Sequence, residues 1–259
     1  MMLAYTLAGL LVGFLVGLTG VGGGSLMTPL LMFVFGIPPL VAVGTDLLFA
    51  AITKLNGAVA HGLRGTVAWP VVGLLGLGSV PSALATSALL GRWQASGAEL
   101  DTLVTSALGA ALILTSLALV FKRRLHRLGR ELVGRLNGDW THWRPALTVA
   151  TGLVLGALVT LSSVGAGALG AAILFFLYPR LPAARVVGTD IAHAVPLTAI
   201  AGLGHLHLGS VDFALLGSLL LGSLPGIYLG SHLSANIPER VMRPVLASML
   251  LAIGVKFIW

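Results

Sequence analysis

The chain has 259 residues, of which 57% are hydrophobic and only 9% are charged, and its formal net charge is +7. A soluble domain usually has about 25% charged residues, whereas a bilayer needs only ~20 apolar residues for each crossing helix. The composition therefore excludes a water-soluble domain and indicates a polytopic membrane protein. Its excess of Lys and Arg is typical of cytoplasmic loops and not of a nucleic-acid-binding surface. The absence of cysteine excludes disulfides, thiolate metal sites and iron–sulfur ligation.

Ten apolar stretches follow one another along the chain. The first begins at the N-terminus without the basic region of a cleaved signal, so we expect it to stay in the mature protein. Polar and turn-rich breaks place the stretches at about 3–19, 24–36, 40–61, 66–90, 100–122, 145–162, 167–178, 183–206, 210–233 and 240–258. The first two of each half are short, and residues 24–36 and 167–178 would extend only ~18 to 20 Å in a hydrocarbon core of about 30 Å. The sequence thus predicts an all-α fold with two half-helices.

A basic segment at residues 122–144 holds seven of the fifteen Lys and Arg residues. It separates a first repeat, residues 1–121, from a second repeat, residues 145–259, and we predict that it is a cytoplasmic linker. Its leucines recur at three- and four-residue spacing, which is typical of an amphipathic helix on the membrane surface. A plain solvated linker is the alternative.

The two halves resemble each other when the sequence is shifted by 144 positions, so that residues 11–89 align with residues 155–233 without a gap. The rarer matching residues are Gly44-Thr45-Asp46 with Gly188-Thr189-Asp190, His61 with His205, and Pro38 with Pro182. Such internal repeats are typical of secondary transporters, in which they are parallel or inverted.

The distribution of basic residues favours inverted repeats. With five segments in each half and the linker inside, twelve Lys and Arg lie in cytoplasmic loops and two lie outside, whereas parallel repeats would give nine inside and five outside. Inverted repeats predict that both termini lie outside. The first two segments of each half then form either a hairpin or two short crossing helices.

Two turns rich in small residues occupy equivalent positions after the first segment of each half: TGVGGGS at 19–25 and SSVGAG at 162–167. Such backbone exposes N–H groups, and the positive end of the following helix dipole favours an anion. Close helix packing through small residues is the alternative. The predicted substrate-binding residues of the two turns are Thr19, Gly22, Gly23, Gly24, Ser163, Gly165 and Gly167.

The third segment of each half supplies the other predicted substrate-binding residues: Thr45, Asp46, Lys54, Thr189 and Asp190. Asp or Thr near a helix start is commonly a cap, but two carboxylates at matching membrane positions indicate pairing, a proton relay or a ligand site. Lys54 is predicted to contact the anion, with snorkelling or an ion pair with Asp46 as alternatives. Because its repeat equivalent is Thr198, we expect Lys54 to neutralise only Asp46, which leaves Asp190 as the protonatable carboxylate.

The candidates for proton coupling are Asp190, His193, His61 and His205. Histidine has an unperturbed pKa near neutrality, and His193 lies one helical turn from Asp190. His61 and His205 fall at predicted segment ends, where interfacial hydrogen bonding is the alternative. We predict no metal site and no cofactor, because a metal needs three or four converging ligands and the set here is thin without Cys.

The segments that carry these residues are GLTGVGGGSLMTPLL, VAVGTDLLFAAITKLNGAVAHGLRGTVAW and ARVVGTDIAHAVPLTAIAGLGHLHLGSVDF. They resemble the TauE/SafE family, also called the sulfite exporter or DUF81 family, over nearly the whole chain outside the linker. The resemblance implies a two-repeat inner-membrane transporter, not an enzyme, that exports a small anion such as sulfite or a sulfonate. The second turn departs from the first, so equal substrate contact by both halves is not expected.

The expected partners are a small anion, membrane lipid and a coupling proton or sodium ion, and nucleic acid is not expected. Two other functions stay open on the residues alone. One is a proton-coupled cation or metal carrier that uses Asp46, Asp190 and the His residues. The other is a membrane scaffold that binds a partner through its basic linker.

Overall fold

Ten α-helices form the part of the protein that the structure, a computed structural model, describes, and this part contains no β-strand. It comprises residues 1–19, 24–93, 97–135, 139–233 and 239–259, without the side chains of residues 19, 24, 97–98, 133–135, 139–141 and 239–242. The helices are α1 (Met2–Thr19), α2 (Gly24–Phe35), α3 (Pro39–Leu63), α4 (Trp69–Trp93), α5 (Gly97–Arg135), α6 (Asp139–Ser162), α7 (Ala168–Leu177), α8 (Ala183–His207), α9 (Phe213–Leu233) and α10 (Glu239–Ile258). Each predicted apolar stretch corresponds to one helix, which confirms the all-α prediction.

The lengths of the helices fit a membrane protein. Within the described residues, six helices are long and apolar enough to cross a membrane. Helices α2 and α7 have only 12 and 10 residues, or about 18 and 15 Å, so both predicted half-helices are confirmed. The expectation that α6 is short is wrong: it has 24 residues because its helical hydrogen bonding begins at Asp139, upstream of the apolar stretch.

The first part of the linker is not a separate segment. Helix α5 has 39 residues and continues from the membrane through Arg135. The Lys122 ammonium lies 4.6 Å from the centroid of the Phe175 ring, which the His126 ring meets edge-on at 5.5 Å. A Cβ atom at Gly129 would overlap the carbonyl oxygen of Phe176. Helix α5 thus continues through residues 122–135, and its residues Lys122, His126 and Gly129 pack against α7. The cytoplasmic location of the linker stays a prediction.

Glycines bring helices of the two halves into close contact. A Cβ atom at Gly9, Gly13 or Gly17 of α1 would overlap successive backbone oxygens of α9, so the two helices run parallel. The repeat-equivalent pair is α6 with α4, where Gly152 and Gly156 make the same kind of approach. Small residues permit this approach between membrane helices. The first helix of each half therefore packs on the fourth helix of the other half, and the halves interlock.

The third helices of the two halves, α3 and α8, run antiparallel across the middle of the fold. Gly44 near the start of α3 lies against His205 near the end of α8, and Gly188 near the start of α8 lies against His61 near the end of α3. This opposite direction is what inverted repeats require. The orientation of the repeats across the bilayer stays a prediction.

We expect Gly222→Ala to destabilise the protein by about 2 kcal/mol, although Ala has the higher helix propensity. The new Cβ atom would overlap the carbonyl oxygen of Thr6 on α1. The matched control is Gly217→Ala in the same helix, where a Cβ atom meets nothing within 4 Å. The midpoint of thermal unfolding in detergent should fall for Gly222→Ala and be unchanged or higher for Gly217→Ala. Equal midpoints would contradict the packing role of Gly222.

Candidate functional site

Two carboxylates lie deep inside the protein at equivalent positions of α3 and α8. Asp46 is 0% exposed and Asp190 is 2% exposed. Helix α3 begins at Pro39 and α8 begins at Ala183, so each carboxylate is more than one turn inside its helix. The capping alternative is therefore wrong for both residues. A buried carboxylate needs a charged or polar partner, because desolvation of an unpaired charge is costly.

Lys54 supplies the cationic partner for both carboxylates. Its Nζ atom donates a hydrogen bond of 2.7 Å to the carbonyl oxygen of Ala166. The ammonium also interacts electrostatically with Asp190 and, less strongly, with Asp46. The expectation that Lys54 neutralises Asp46 alone is thus wrong, because the antiparallel packing of α8 brings Asp190 to the same amine. Lys54 links α3 of the first half to the turn between α6 and α7 of the second half.

The second-half turn has an unusual backbone that directs the start of α7 at Asp190. Ser163, Gly165 and Gly167 have φ angles of 58°, 121° and 142°, a region that favours glycine. The Asp190 carboxylate interacts with the backbone N–H of Gly167, and a Cβ atom at Gly170 would overlap its Oδ1 atom. The N-terminus of α7 favours negative charge. The carboxylate of Asp190 therefore lies where the turn and the start of α7 favour negative charge, and binding of a substrate anion there stays a prediction.

Several polar atoms of the two halves converge near Asp46. Thr28 of α2 donates a short hydrogen bond from Oγ1 to Asp46 Oδ2, and Ser163 lies beside the same carboxylate. Asp46 Oδ1, Asp190 Oδ1 and Ser163 Oγ are buried and have no hydrogen-bond partner within the described ranges. A buried polar atom without a partner costs about 1 to 3 kcal/mol. These atoms are therefore candidates for contact with a ligand, an ion or a proton.

The two threonines of the repeated motif join the halves. Thr45 Oγ1 accepts a hydrogen bond of 3.1 Å from the backbone N–H of Asp212, and Thr189 Oγ1 accepts one of 2.9 Å from the backbone N–H of Ala68. The two bonds are equivalent under the 144-residue shift. Thr45 and Thr189 thus have a structural role that explains their repetition, and their contact with substrate stays a prediction.

His193 lies near Asp46, Lys54 and Asp190, and we call these four residues and their hydrogen-bond partners the buried cluster. His61 and His205 instead form hydrogen bonds at the C-terminal ends of α3 and α8. His193 Nε2 lies 2.8 Å from Ser79 Oγ, and its Nδ1 atom has no partner among the residues described. His61 Nδ1 lies 2.8 Å from Thr66 Oγ1, and the equivalent His205 Nδ1 lies 3.3 Å from Ser210 Oγ. His205 is fully buried, and its Nε2 atom lies 2.9 Å from the carbonyl oxygen of Thr160. Among the described residues, no group of three or more His, Asp and Glu could hold a metal ion.

Sequence reasoning missed three members of this cluster: Thr28, Ser79 and Ala166. Thr28 and Ser79 are uncharged residues in apolar helices, and Ala166 contributes only its carbonyl oxygen, so none carried a charge signal. The predicted first-half turn at residues 20–23, with Gly22 and Gly23, lies outside the described residues. The same holds for the side-chain surroundings of Thr19 and for Gly24 beyond its place at the start of α2.

Comparisons with known proteins agree with this architecture. The family model of the sulfite exporter TauE/SafE matches residues 5–257. The probable membrane transporter protein YjnA of Bacillus subtilis (strain 168) is 40% identical over 262 residues, which cover 100% of both chains. The probable membrane transporter protein YdhB of the same organism is 28% identical over 80% of this chain and 79% of its own. A probable membrane transporter protein of Haemophilus influenzae is 26% identical over 76% of this chain and 67% of its own.

No solved structure matches the chain. The family match spans nearly all ten helices, and six of the described helices are long and apolar enough to cross a membrane. The protein is therefore a multi-pass integral membrane transporter. It belongs to the sulfite exporter TauE/SafE family.

Proposed function

We propose that the protein is a secondary transporter of the inner membrane that exports a small oxyanion such as sulfite or a sulfonate. The observation that carries the proposal is the position of Lys54. It is a membrane-embedded cation present in only one half, and its amine contacts the turn that precedes the half-helix α7. A cation, backbone N–H groups and a helix N-terminus together form the kind of environment that stabilises a desolvated anion.

The charges of the cluster support coupling to a cation, most simply a proton. Asp46 and Asp190 carry two negative charges when ionised, and Lys54 compensates one of them. An added anion would bring at least two uncompensated negative charges into a buried site, where like charges repel strongly. Binding of an oxyanion is therefore favourable only when a proton or another cation accompanies it.

Asp190 is the proposed site of that proton. The ionised carboxylate of Asp190 lies next to Lys54 and the start of α7, which is where the substrate anion would bind. Protonation of Asp190 removes its negative charge. The Lys54 ammonium and the N-terminus of α7 can then bind the incoming oxyanion. His193, which lies one turn further along α8 and contacts Ser79 through Nε2, is the proposed relay for the proton. Release of the anion returns Asp190 to its ionised state.

A sodium ion is the second candidate for the coupling ion. Asp46 Oδ1 and Asp190 Oδ1, which lack hydrogen-bond partners in the described part of the chain, are hard oxygen ligands of the kind that alkali and alkaline-earth cations prefer. The same two atoms would serve a cation carrier. Transport assays therefore have to vary anion and cation separately.

Flux through purified protein in liposomes tests the proposed function. Sulfite, small sulfonates and small carboxylates are supplied in turn, under a proton gradient or a sodium gradient. We expect sulfite or a sulfonate to move, with one gradient accelerating it. Movement of a metal cation without any anion flux would overturn the proposal in favour of the cation carrier. Absence of flux for every anion and cation supplied would favour the membrane scaffold.

We predict that the linker faces the cytoplasm and that both termini face away from it. The reason is that twelve basic residues then lie in cytoplasmic loops and two lie outside. Since the chain has no cysteine, single cysteines can be placed in the linker by Gly138→Cys and directly after Trp259. A membrane-impermeant maleimide should label the second in intact cells and the first only after permeabilisation. The reverse pattern would exclude this topology.

A further inference from the structure

A cavity of about 790 Å³ opens where the linker extension of α5 meets α7 and α8. Basic side chains dominate its polar lining: Lys122, Arg123, Arg127, Arg130 and Arg243, with His61 and His126. No Asp or Glu is among the lining residues that the structure describes. The lining residues come from α3, α5, α7, α8, α10 and the connection between α7 and α8. The cavity, here called the basic cavity, is thus strongly electropositive.

A second cavity at the other end of α8 has a different character. Its volume is about 530 Å³, and Arg92 is the one Lys or Arg among its described lining residues. Helix α8 extends from Ala183 at the basic cavity to His207 at the second cavity, a length of about 36 Å against a hydrocarbon core of about 30 Å. The two cavities therefore lie on opposite faces of the membrane. The basic cavity lies on the side of residues 122–144, here called the linker face, and the second cavity is not strongly basic.

The basic cavity ends close to the buried cluster. Its lining residue Val187 lies three residues before Asp190 on α8, and its lining residue His61 lies seven residues from Lys54 on α3. These separations are about 4.5 Å and about 10 Å along the helix axes. The first turn of α8, which has no side-chain cap, also lines the cavity and adds the positive end of its dipole. The basic cavity thus leads from the linker face towards Lys54.

We propose that the basic cavity is a capture site for free oxyanions, distinct from the Lys54 site, that holds the substrate on the linker face before it enters the membrane. The inference rests on the proposed function for the identity of the substrate. Arginine binds oxyanions through paired N–H groups, and a cleft lined by one sign of charge raises the local concentration of counter-ions and the association rate. The arginines of the linker extension, Arg123, Arg127 and Arg130, carry this role.

The phosphate of an anionic lipid presents the same oxyanion chemistry. The free anion is favoured because the lining residue Val187 lies within one turn of Asp190 on α8, and a lipid head group tethered to its acyl chains would not move on to that carboxylate. The experiment below separates the two sources.

Sulfate, a dianion that resists oxidation, serves as the probe in calorimetry on the purified protein in an uncharged detergent. We expect the double variant Arg127→Gln/Arg130→Gln to weaken sulfate binding about tenfold or more. Arg127→Lys/Arg130→Lys should retain the affinity only in part, because the charge stays but the paired N–H groups are lost. Arg92→Gln in the second cavity should retain all of it. Lys54→Met should still bind sulfate at the capture site. Sulfate binding that survives in this variant would support the capture site even if the proposed role of Lys54 in transport were wrong.

Transport gives a directional readout in liposomes with one protein orientation. The double glutamine variant should raise the half-saturating sulfite concentration on the linker face about tenfold and leave the value on the opposite face unchanged. Equal sulfate affinity in the double glutamine variant and the wild type would overturn the inference. It would also be overturned if that variant lost only its binding to phosphatidylglycerol nanodiscs, compared with phosphatidylcholine nanodiscs, because the cavity would then hold a lipid head group.

Discussion

Lys54→Met is expected to bind the substrate anion at least about tenfold more weakly than the wild type, a loss of ~1.4 kcal/mol or more. Methionine keeps much of the apolar stem but removes the ammonium that contacts Ala166 and compensates Asp190 and Asp46. A bare anion at the start of α7 would then face two carboxylates with no buried cation, and the half-charge of a short helix does not offset that repulsion. Equilibrium binding of sulfite to purified protein measures the effect in an Arg127→Gln/Arg130→Gln background, in which the basic cavity no longer contributes to binding.

Removal of Lys54 also leaves two buried carboxylates without their cation and can destabilise the protein. A loss of anion binding therefore has to be distinguished from a loss of folded protein. The double variant Lys54→Met/Asp190→Asn restores the charge balance and should fold like the wild type while still binding the anion weakly. Lys54→Arg should restore binding only in part, because a planar guanidinium does not replace a compact ammonium. The matched control is Lys256→Met, which removes a lysine that lies over the Phe33 ring on the protein surface and should leave binding unchanged. Wild-type affinity in Lys54→Met would remove Lys54 from the site.

Asp190→Asn is expected to bind the anion about tenfold more tightly at high pH than the wild type and to lose the pH dependence of binding. In the wild type, the ionised carboxylate competes with the substrate for Lys54 and the start of α7. Anion affinity should therefore rise as pH falls and Asp190 takes up its proton. Asparagine stays neutral at every pH, so the affinity should stay high. Transport should slow, because release needs Asp190 to ionise again.

The matched control for Asp190→Asn is Asp46→Asn at the equivalent position of the first half. Asp46 accepts a hydrogen bond from Thr28 of α2, and its interaction with Lys54 is the weaker of the two. Asp46→Asn should therefore retain the pH dependence of anion binding. Binding and flux of a small sulfonate, whose charge does not change with pH, decide between the two carboxylates when measured over a pH series. Unchanged pH dependence in Asp190→Asn would place the coupling proton elsewhere, and its loss in Asp46→Asn alone would assign the proton to Asp46.

The sequence by itself determined the helices and the identity of the buried charges. A membrane helix must satisfy its backbone hydrogen bonds within its own segment, so the apolar stretches map directly onto α1 to α10. The shift of 144 residues related the halves, and the cost of an ionisable residue in lipid singled out Asp46, Asp190 and Lys54. The helices, the repeat and the buried charges depend on local composition and on residue spacing, which the sequence shows directly. Composition did not indicate that residues 122–135 continue α5 without a break, or that Lys122, His126 and Gly129 contact α7.

The tertiary structure alone decided which groups meet. Lys54 is eight positions from Asp46 in sequence, yet its stronger interaction is with Asp190, because α8 packs antiparallel against α3 and brings Asp190 near the Lys54 amine. The same packing gave Thr45 and Thr189 their hydrogen bonds to the opposite half. It also brought residues of α3, α5, α7, α8 and α10 together around the basic cavity. A close contact between two helices requires small residues at matching positions on both of them. The sequence shows the glycines of each helix but does not show which helix packs against which.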